Sequence, residues 1–249
     1  MMTDVSFTSN FDGAEQKYVL FLPESFEPDA AHDVLIALHG SGSDRWQFAT
    51  QAGDEFQAAR DIAAEHNLIY VSPDYRGPSW MGPSAEADMV QIISELKETY
   101  LVSRVLLCGS SMGGACSLSF AVLHPELIDG VASTNGLANF LDYENFQEAM
   151  QKSYGGTKDE IPLEYKNRSA EYWPEKLTMP IGMAVSGKDT IVPPDSVRRL
   201  AKVLEIIGHP DVMLVYRPEL GHETSYADAR AVLEFILEKS AARPRRPGS

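Results

Sequence analysis

Cysteine is scarce in this sequence, which has only Cys108 and Cys116 among its 249 residues. So low a number excludes a disulfide-stapled scaffold, and because both lie in apolar stretches we expect two small buried thiols. No apolar run approaches the length of a membrane span. Residues 1–10 have neither the basic start nor the apolar core of a signal peptide. These features together predict a cytoplasmic protein.

Basic residues are also few, since 21 Lys and Arg stand against 36 Asp and Glu, a formal net charge of −15. This excess of negative charge argues against nucleic acid or an anionic membrane as a partner. The sequence contains no Cys and His cluster with the spacing of metal ligands. We therefore expect no metal, no cofactor and a small-molecule substrate, whereas the sequence carries no signal for an oligomeric state.

Short apolar runs alternate with helical segments along most of the chain. A hairpin is expected first, over residues 7–10 and 17–22. The runs that follow lie at residues 34–38, 68–71, 104–108, 129–133, 181–185 and 212–216. Continuous apolar runs separated by helices are typical of parallel strands buried on both faces. The sequence therefore predicts an α/β fold with a doubly wound, mainly parallel sheet and helices on both faces.

The length of the chain suits one domain, which we place at residues 1–242. The alternation of strands and helices breaks down in an aromatic-rich segment at about residues 137–178, and we expect this segment to form a small cap insertion. The tail, residues 243–249, is rich in Pro and Arg and has the composition of a disordered segment.

A Gly-X-Ser-X-Gly motif at residues 109–113 stands between a predicted strand and a predicted helix. In this context the motif indicates a sharp turn that exposes one serine, here Ser111, at the end of a strand. Gly109 and Gly113 fit because so tight a turn leaves no room for a Cβ where strand and helix meet. The helix that starts below Ser111 favours the negative charge that develops when a serine attacks a carbonyl. Ser111 is therefore the predicted nucleophile.

A serine nucleophile needs a base, and His222 is the best candidate because it lies in the loop between the last strand and the last helix. His39 also follows a strand, but its place before a glycine suits the shaping of an oxyanion turn. The remaining three candidates lie at helix ends and are expected on the solvent side: His66, His124 and His209.

The base needs an acid to hold its tautomer, and Asp189 follows a predicted strand between the other two residues. Asp195 is the rival, but it lies where a helix begins, so N-capping is its expected role. The resulting order of Ser, Asp and His along the chain is the order of α/β-hydrolases.

Two N–H donors must point at one spot to stabilise the oxyanion. The amide of Met112 supplies one by its position after the nucleophile. The second is expected from the glycine-rich turn at residues 39–42, with Ser41 favoured and Gly42 as the alternative.

These motifs carry a resemblance to the α/β-hydrolase superfamily, because the turn at residues 39–42, the elbow at residues 109–113, Asp189 and His222 occur in its order. Within that superfamily the second half of the chain is similar to prolyl-oligopeptidase-like and dienelactone-hydrolase-like members. Dienelactone hydrolases use a cysteine nucleophile, and Ser111 departs from that pattern. Prolyl oligopeptidases carry a large propeller before the catalytic domain, and this sequence contains none. Both departures favour an esterase.

The resemblance implies a serine esterase that cleaves short-acyl or aryl carboxylic esters of the acetyl or feruloyl type, including those on carbohydrate, through an acyl-enzyme. A peptidase or amidase is the first alternative reading. The second is a catalytically silent hydrolase fold that serves as a binding module.

The loop after the strand at residues 68–71 is predicted to contact the substrate through Tyr75, Trp80 and Met81. In doubly wound sheets, ligands bind beyond the carboxyl ends of the strands, and this loop lies there. The alternative for each of these side chains is packing in the core. Arg76 and Ser110 are weaker candidates for substrate contact.

Overall fold

The computed structural model describes residues 2–244, which form one eight-stranded sheet and the helices around it. The strands are β1 (Met2–Thr8), β2 (Glu15–Phe21), β3 (His32–Leu38), β4 (Ile69–Pro73), β5 (Val102–Ser110), β6 (Gly130–Thr134), β7 (Ile181–Ser186) and β8 (Val212–Arg217). The α-helices are α1 (Trp46–Thr50), α2 (Asp54–Glu65), α3 (Pro83–Thr99), α4 (Met112–Leu123), α5 (Gln147–Tyr154), α6 (Pro162–Arg168), α7 (Asp195–Ile206) and α8 (Tyr226–Ala241).

The strand order is β1-β2-β4-β3-β5-β6-β7-β8, with β2 antiparallel to both of its neighbours and the strands from β3 to β8 parallel. This arrangement confirms the predicted doubly wound, mainly parallel sheet. The strand that follows β3 in the chain, β4, lies on one side of β3, and the later strands β5 to β8 lie on its other side. The winding direction of the sheet therefore switches between β3 and β5. Ligands bind at such switch points in open α/β sheets, and here the turns after β3 and β5 meet.

The core has two halves, one on each face of the sheet, and β3 shows how one strand serves both. Val34, Ile36 and Leu38 pack on the face covered by α3, α4 and α7, whereas Leu35 and Ala37 pack on the face covered by α2 and α8. A strand buried on both faces must be apolar at every position. The continuous apolar runs in the sequence follow from this burial.

The segment between β6 and β7, predicted as a cap insertion, contains α5, α6 and two 3₁₀ turns (Ala170–Tyr172 and Pro174–Lys176). It packs against α3, α4 and α7. Arg168 of α6 is almost completely buried, and its guanidinium forms an ion pair with Glu86 of α3 at 2.8 Å. The hydroxyl of Tyr154 donates to the Trp80 carbonyl oxygen at 2.7 Å. The insertion is thus a packed layer on one face of the sheet.

One detail at the start of α7 differs from expectation. The N-cap of α7 is Pro194, so Asp195 is the first helical residue rather than the cap. Arg243, the first residue of the predicted tail, donates to the Asp211 carboxylate at 2.5 Å. The rest of that tail, residues 245–249, lies outside the described residues. Within residues 2–244, no helix is long and apolar enough to cross a membrane.

Candidate active site

Ser111 lies in the turn between β5 and α4 with φ 58° and ψ −123°, a backbone conformation that non-glycine residues rarely adopt. Its N–H donates to the Thr134 carbonyl oxygen of β6 at 2.9 Å, so the neighbouring strand holds the turn. A Cβ on Gly113 would lie 1.9 Å from the Leu38 carbonyl oxygen, and one on Gly109 would lie 2.4 Å from the Gly113 carbonyl carbon. Both motif glycines are therefore required by close backbone approach.

Ser111, His222 and Asp189 meet at the carboxyl edge of the sheet. The Ser111 hydroxyl donates to His222 Nε2 at 2.8 Å, and His222 Nδ1–H donates to Asp189 Oδ2 at 2.6 Å. The side chain of Asp189 is 1% exposed and that of His222 is 21% exposed. A buried carboxylate thus selects the tautomer that leaves Nε2 free to accept the serine proton.

The second oxygen of Asp189 is held by the loop that follows it. Oδ1 accepts the N–H groups of Ile191 and Val192, each at 2.9 Å. The rival Asp195 is 69% exposed and lies 3.8 Å from Arg198. Of the two predicted acids, the structure brings only Asp189 to His222.

The histidine loop is anchored by two polar side chains at the carboxyl ends of β6 and β7. Asn135, buried with φ 43°, donates from Nδ2 to Thr224 Oγ1 at 3.0 Å. The Ser186 hydroxyl donates to the Glu223 carbonyl oxygen at 3.0 Å. Sequence reasoning missed both anchors, although each stands at the strand end where the other site residues were sought.

The turn after β3 lies directly beside Ser111. A Cβ on Gly40 would lie 3.8 Å from Ser111 Cβ, and Gly40 N–H donates to Gln47 Oε1 at 2.7 Å. His39 is fully buried, with Nδ1 and Nε2 at 2.8 and 3.0 Å from the carbonyl oxygens of Gly40 and Asp74. This ring therefore lies in the turn that it was expected to shape.

The predicted oxyanion donors stand on the two sides of this junction. Met112 is the first residue of α4, and Ser41 follows the turn of His39 and Gly40. Neither backbone N–H donates a hydrogen bond to another of the residues described. Both amides are thus free for a ligand, and their role remains a prediction.

The structure corrects the expected substrate contacts of Tyr75, Trp80 and Met81, which are at most 2% exposed. All three have positive φ. The Tyr75 hydroxyl donates to the His39 carbonyl oxygen, and the Trp80 ring packs 5.6 Å from that of Tyr143. Side chains without open surface have no face for a substrate, so their role here is packing.

The two weaker candidates are also occupied by protein contacts. The Ser110 hydroxyl donates to Glu55 Oε1 at 3.2 Å. Arg76 forms ion pairs with Asp12 at 2.8 Å and with Asp88 at 2.5 Å.

Unlike Tyr75, Trp80 and Met81, two other apolar side chains, one in the aromatic insertion and one in the loop after Asp189, are open to solvent. Phe146 of the insertion is 42% exposed, and Ile191, two residues after Asp189, is 44% exposed.

No group of three or more His, Cys, Asp or Glu side chains within residues 2–244 could hold a metal ion.

Residues 54–242, which include the serine, the acid and the histidine, match the sequence model of the prolyl oligopeptidase family. The chain belongs to the prolyl oligopeptidase family. Its fold is of the α/β-hydrolase type, as the order of its motifs predicts. A curated relative, the homoserine O-acetyltransferase of Corynebacterium urealyticum, is 26% identical over 141 residues, which is 52% of this chain and 36% of the relative.

Solved structures place this family member among α/β-hydrolases by fold. FphF, a fluorophosphonate-binding serine hydrolase of Staphylococcus aureus, superposes with a TM-score of 0.75 at 17% identity, over 95% of this chain and 98% of FphF. An S-formylglutathione hydrolase from Agrobacterium tumefaciens gives a TM-score of 0.72 at 16% identity, over 98% and 95% of the two chains. At such low identity these likenesses establish the fold alone.

Proposed function

We propose that the protein is a serine carboxylesterase in which Ser111 is the nucleophile, His222 the general base and Asp189 the orienting acid. The observation that carries this proposal is the continuous relay from Ser111 Oγ through the imidazole to Asp189, with contacts of 2.8 and 2.6 Å. Three residues so distant in the chain meet with the geometry that activates a hydroxyl.

The reaction proceeds in two halves. His222 Nε2 takes the hydroxyl proton as Ser111 Oγ bonds to the ester carbonyl carbon, and the same proton then passes to the leaving alkoxide as its C–O bond breaks. A water molecule, deprotonated by His222, attacks the acyl-serine. The acid leaves, and the proton returns to Ser111.

The oxyanion of each tetrahedral intermediate is stabilised by the amides of Met112 and Ser41. The Met112 N–H is at the N-terminus of α4, where the helix dipole adds partial positive charge. Donors fixed before the reaction need no reorganisation when charge develops, and removal of one typically costs about 10²–10³-fold in kcat.

The proposed substrates are short-acyl or aryl carboxylic esters, of the acetyl or feruloyl type, including those on carbohydrate. The exposed side chains of Phe146 and Ile191 support this class because they offer apolar surface near Asp189. Ile191 lies two residues after Asp189, and Phe146 follows Asn145, whose amide donates to the Ile191 carbonyl oxygen at 2.9 Å. We propose the cytoplasm as the compartment, supported by the free and buried thiols of Cys108 and Cys116.

Amide hydrolysis is a second candidate function, and the match to the prolyl oligopeptidase family favours it. An acylaminoacyl peptidase matches with a TM-score of 0.73 over 99% of this chain and 43% of the peptidase. The same triad could protonate a leaving amine in place of an alcohol.

Comparison of p-nitrophenyl acetate, a feruloyl ester and a prolyl anilide tests this ranking. We expect the highest kcat/KM for an ester and loss of turnover in Ser111→Ala. A clear preference for the anilide would make the peptidase the function, and turnover retained by Ser111→Ala would remove the serine mechanism.

A further inference from the structure

The loop that carries Asp189 is held from outside by the insertion. We call residues 186–192 the acid loop. The hydroxyl of Tyr143 donates to the Ile191 carbonyl oxygen at 2.8 Å. The amide of Asn145 donates from Nδ2 to the carbonyl oxygens of Ile191 and Thr190, at 2.9 and 3.2 Å. Two side chains of the insertion therefore donate hydrogen bonds to consecutive carbonyl groups of the acid loop.

The backbone that accepts these hydrogen bonds also donates to the Asp189 carboxylate. Ile191 accepts from the insertion through its carbonyl oxygen and donates through its N–H to Asp189 Oδ1. Oδ1 fixed in this way leaves Oδ2 directed at His222 Nδ1. A chain of hydrogen bonds thus runs from the insertion through one residue of the acid loop to the catalytic imidazole.

Tyr143 is a rigid support for this contact. It is 3% exposed, and its own carbonyl oxygen accepts hydrogen bonds from Gln147 Nε2 at 2.5 Å and from Lys158 Nζ at 3.3 Å. Burial, with the charge of Asp189 as the second cause, raises the pKa of the Tyr143 hydroxyl well above its usual value. The hydroxyl therefore stays protonated and remains a donor at every pH at which the enzyme would work.

We infer that Tyr143 and Asn145 are positioning residues that hold the acid loop and thereby orient Asp189 toward His222, an inference that rests on the proposed function. The insertion then affects the rate of the reaction through the orientation of Asp189, and not only the shape of the site. Loss of the Tyr143 hydroxyl leaves the Ile191 carbonyl oxygen held by the Asn145 amide alone, and this weaker hold lets the carboxylate turn away from the imidazole. Since the triad acts on the bound substrate, the loss is expected in kcat rather than in KM.

The test compares Tyr143→Phe and Asn145→Ala with Tyr154→Phe. Tyr154 is a matched control, because it is also a buried insertion tyrosine and its hydroxyl donates at 2.7 Å to a main-chain carbonyl oxygen, that of Trp80, outside the acid loop. Kinetics on p-nitrophenyl acetate are measured for these three variants and for the wild-type protein. The deshielded proton NMR resonance of His222 Nδ1–H, which reports its hydrogen bond to Asp189, is recorded in parallel.

We expect Tyr143→Phe to lower kcat about 10-fold and to leave KM within twofold of wild type. A 10-fold change corresponds to about 1.4 kcal/mol, which is the contribution of one hydrogen bond. The effect of Asn145→Ala is smaller, because Asn145 is exposed. The Nδ1–H resonance should shift or broaden in both variants and stay in place in Tyr154→Phe. Unchanged kcat and an unchanged resonance in Tyr143→Phe would overturn the inference, as would an equal loss in Tyr154→Phe. If wild-type protein hydrolyses no ester, the proposed function fails, and the resonance still decides whether Tyr143 orients Asp189.

Discussion

Replacement of Gly113 by alanine tests the elbow geometry, because its consequence can be worked out from one distance. The added Cβ would lie 1.9 Å from the Leu38 carbonyl oxygen and 2.6 Å from the Leu38 carbonyl carbon. Carbon and oxygen atoms in contact need about 3.3 Å, so α4 and the end of β3 must separate by about 1.4 Å. Both partners are backbone, which cannot rotate away as a side chain can.

The cost of this separation is both structural and catalytic. Overpacking against the backbone of a central strand is expected to destabilise by about 3 kcal/mol, the upper part of the usual range. For a chain of this size that is a fall in Tm of about 6–12 °C. Leu38 immediately precedes the turn of His39 and Gly40, so the displacement also moves Ser41 relative to Ser111. A shift of about 1 Å at a catalytic group costs about 10²-fold in rate.

Thermal unfolding and kcat/KM on p-nitrophenyl acetate measure both effects in Gly113→Ala. Gly221→Ala is the control for stability, since a Cβ there would meet no atom within 4 Å. Its Tm should equal or slightly exceed that of the parent protein. A Gly113→Ala protein with parental Tm and parental kcat/KM would refute the close approach of α4 to β3 and, with it, our account of the elbow.

Two further predictions concern the acid and a surface pair. Asp189→Asn should lower kcat/KM about 10⁴-fold, whereas Asp195→Asn should leave it within twofold; equal effects of the two changes would contradict the assignment of the acid. A hydrogen bond at 2.9 Å to Glu86 raises the pKa of His124 above its usual 6.5. A histidine whose pKa is higher in the folded than in the unfolded protein stabilises the fold at pH values below its unfolded pKa. This stabilisation is lost as the pH rises through its folded pKa. Therefore His124→Gln should lower the free energy of unfolding by about 0.5–1 kcal/mol at pH 5.5 and have little effect at pH 8.5, as chemical denaturation would show; a cost that grows with pH would contradict this pairing.

The sheet could be predicted from the sequence because its signal is local. β3 and β7 are buried on both faces, so they stand out as unbroken apolar runs between helices. The three residues of the proposed triad could be predicted to meet for a related reason. In a parallel sheet every strand ends at the same edge, so Ser111, Asp189 and His222 are brought together by topology, without knowledge of any side-chain contact.

The supports of the site could not be predicted because they depend on contacts between loops. Trp80 and Tyr75 lie in a glycine- and proline-rich loop, where positive φ values place aromatic side chains in the core rather than in the site. Asn135 and Tyr143 are ordinary polar residues in sequence, and their partners Thr224 and Ile191 lie 89 and 48 residues further along the chain. No periodicity or motif encodes such pairs.

Fluorophosphonate labelling with peptide mapping by mass spectrometry tests the central claim most directly, because the reagent attacks only an activated serine. We predict one adduct on folded protein, located on Ser111 and absent from Ser111→Ala, with labelling strongly slowed in His222→Ala. Folded protein that gains no adduct, or an adduct on another serine that persists in Ser111→Ala, would contradict the claim that Ser111 is activated by His222 and Asp189.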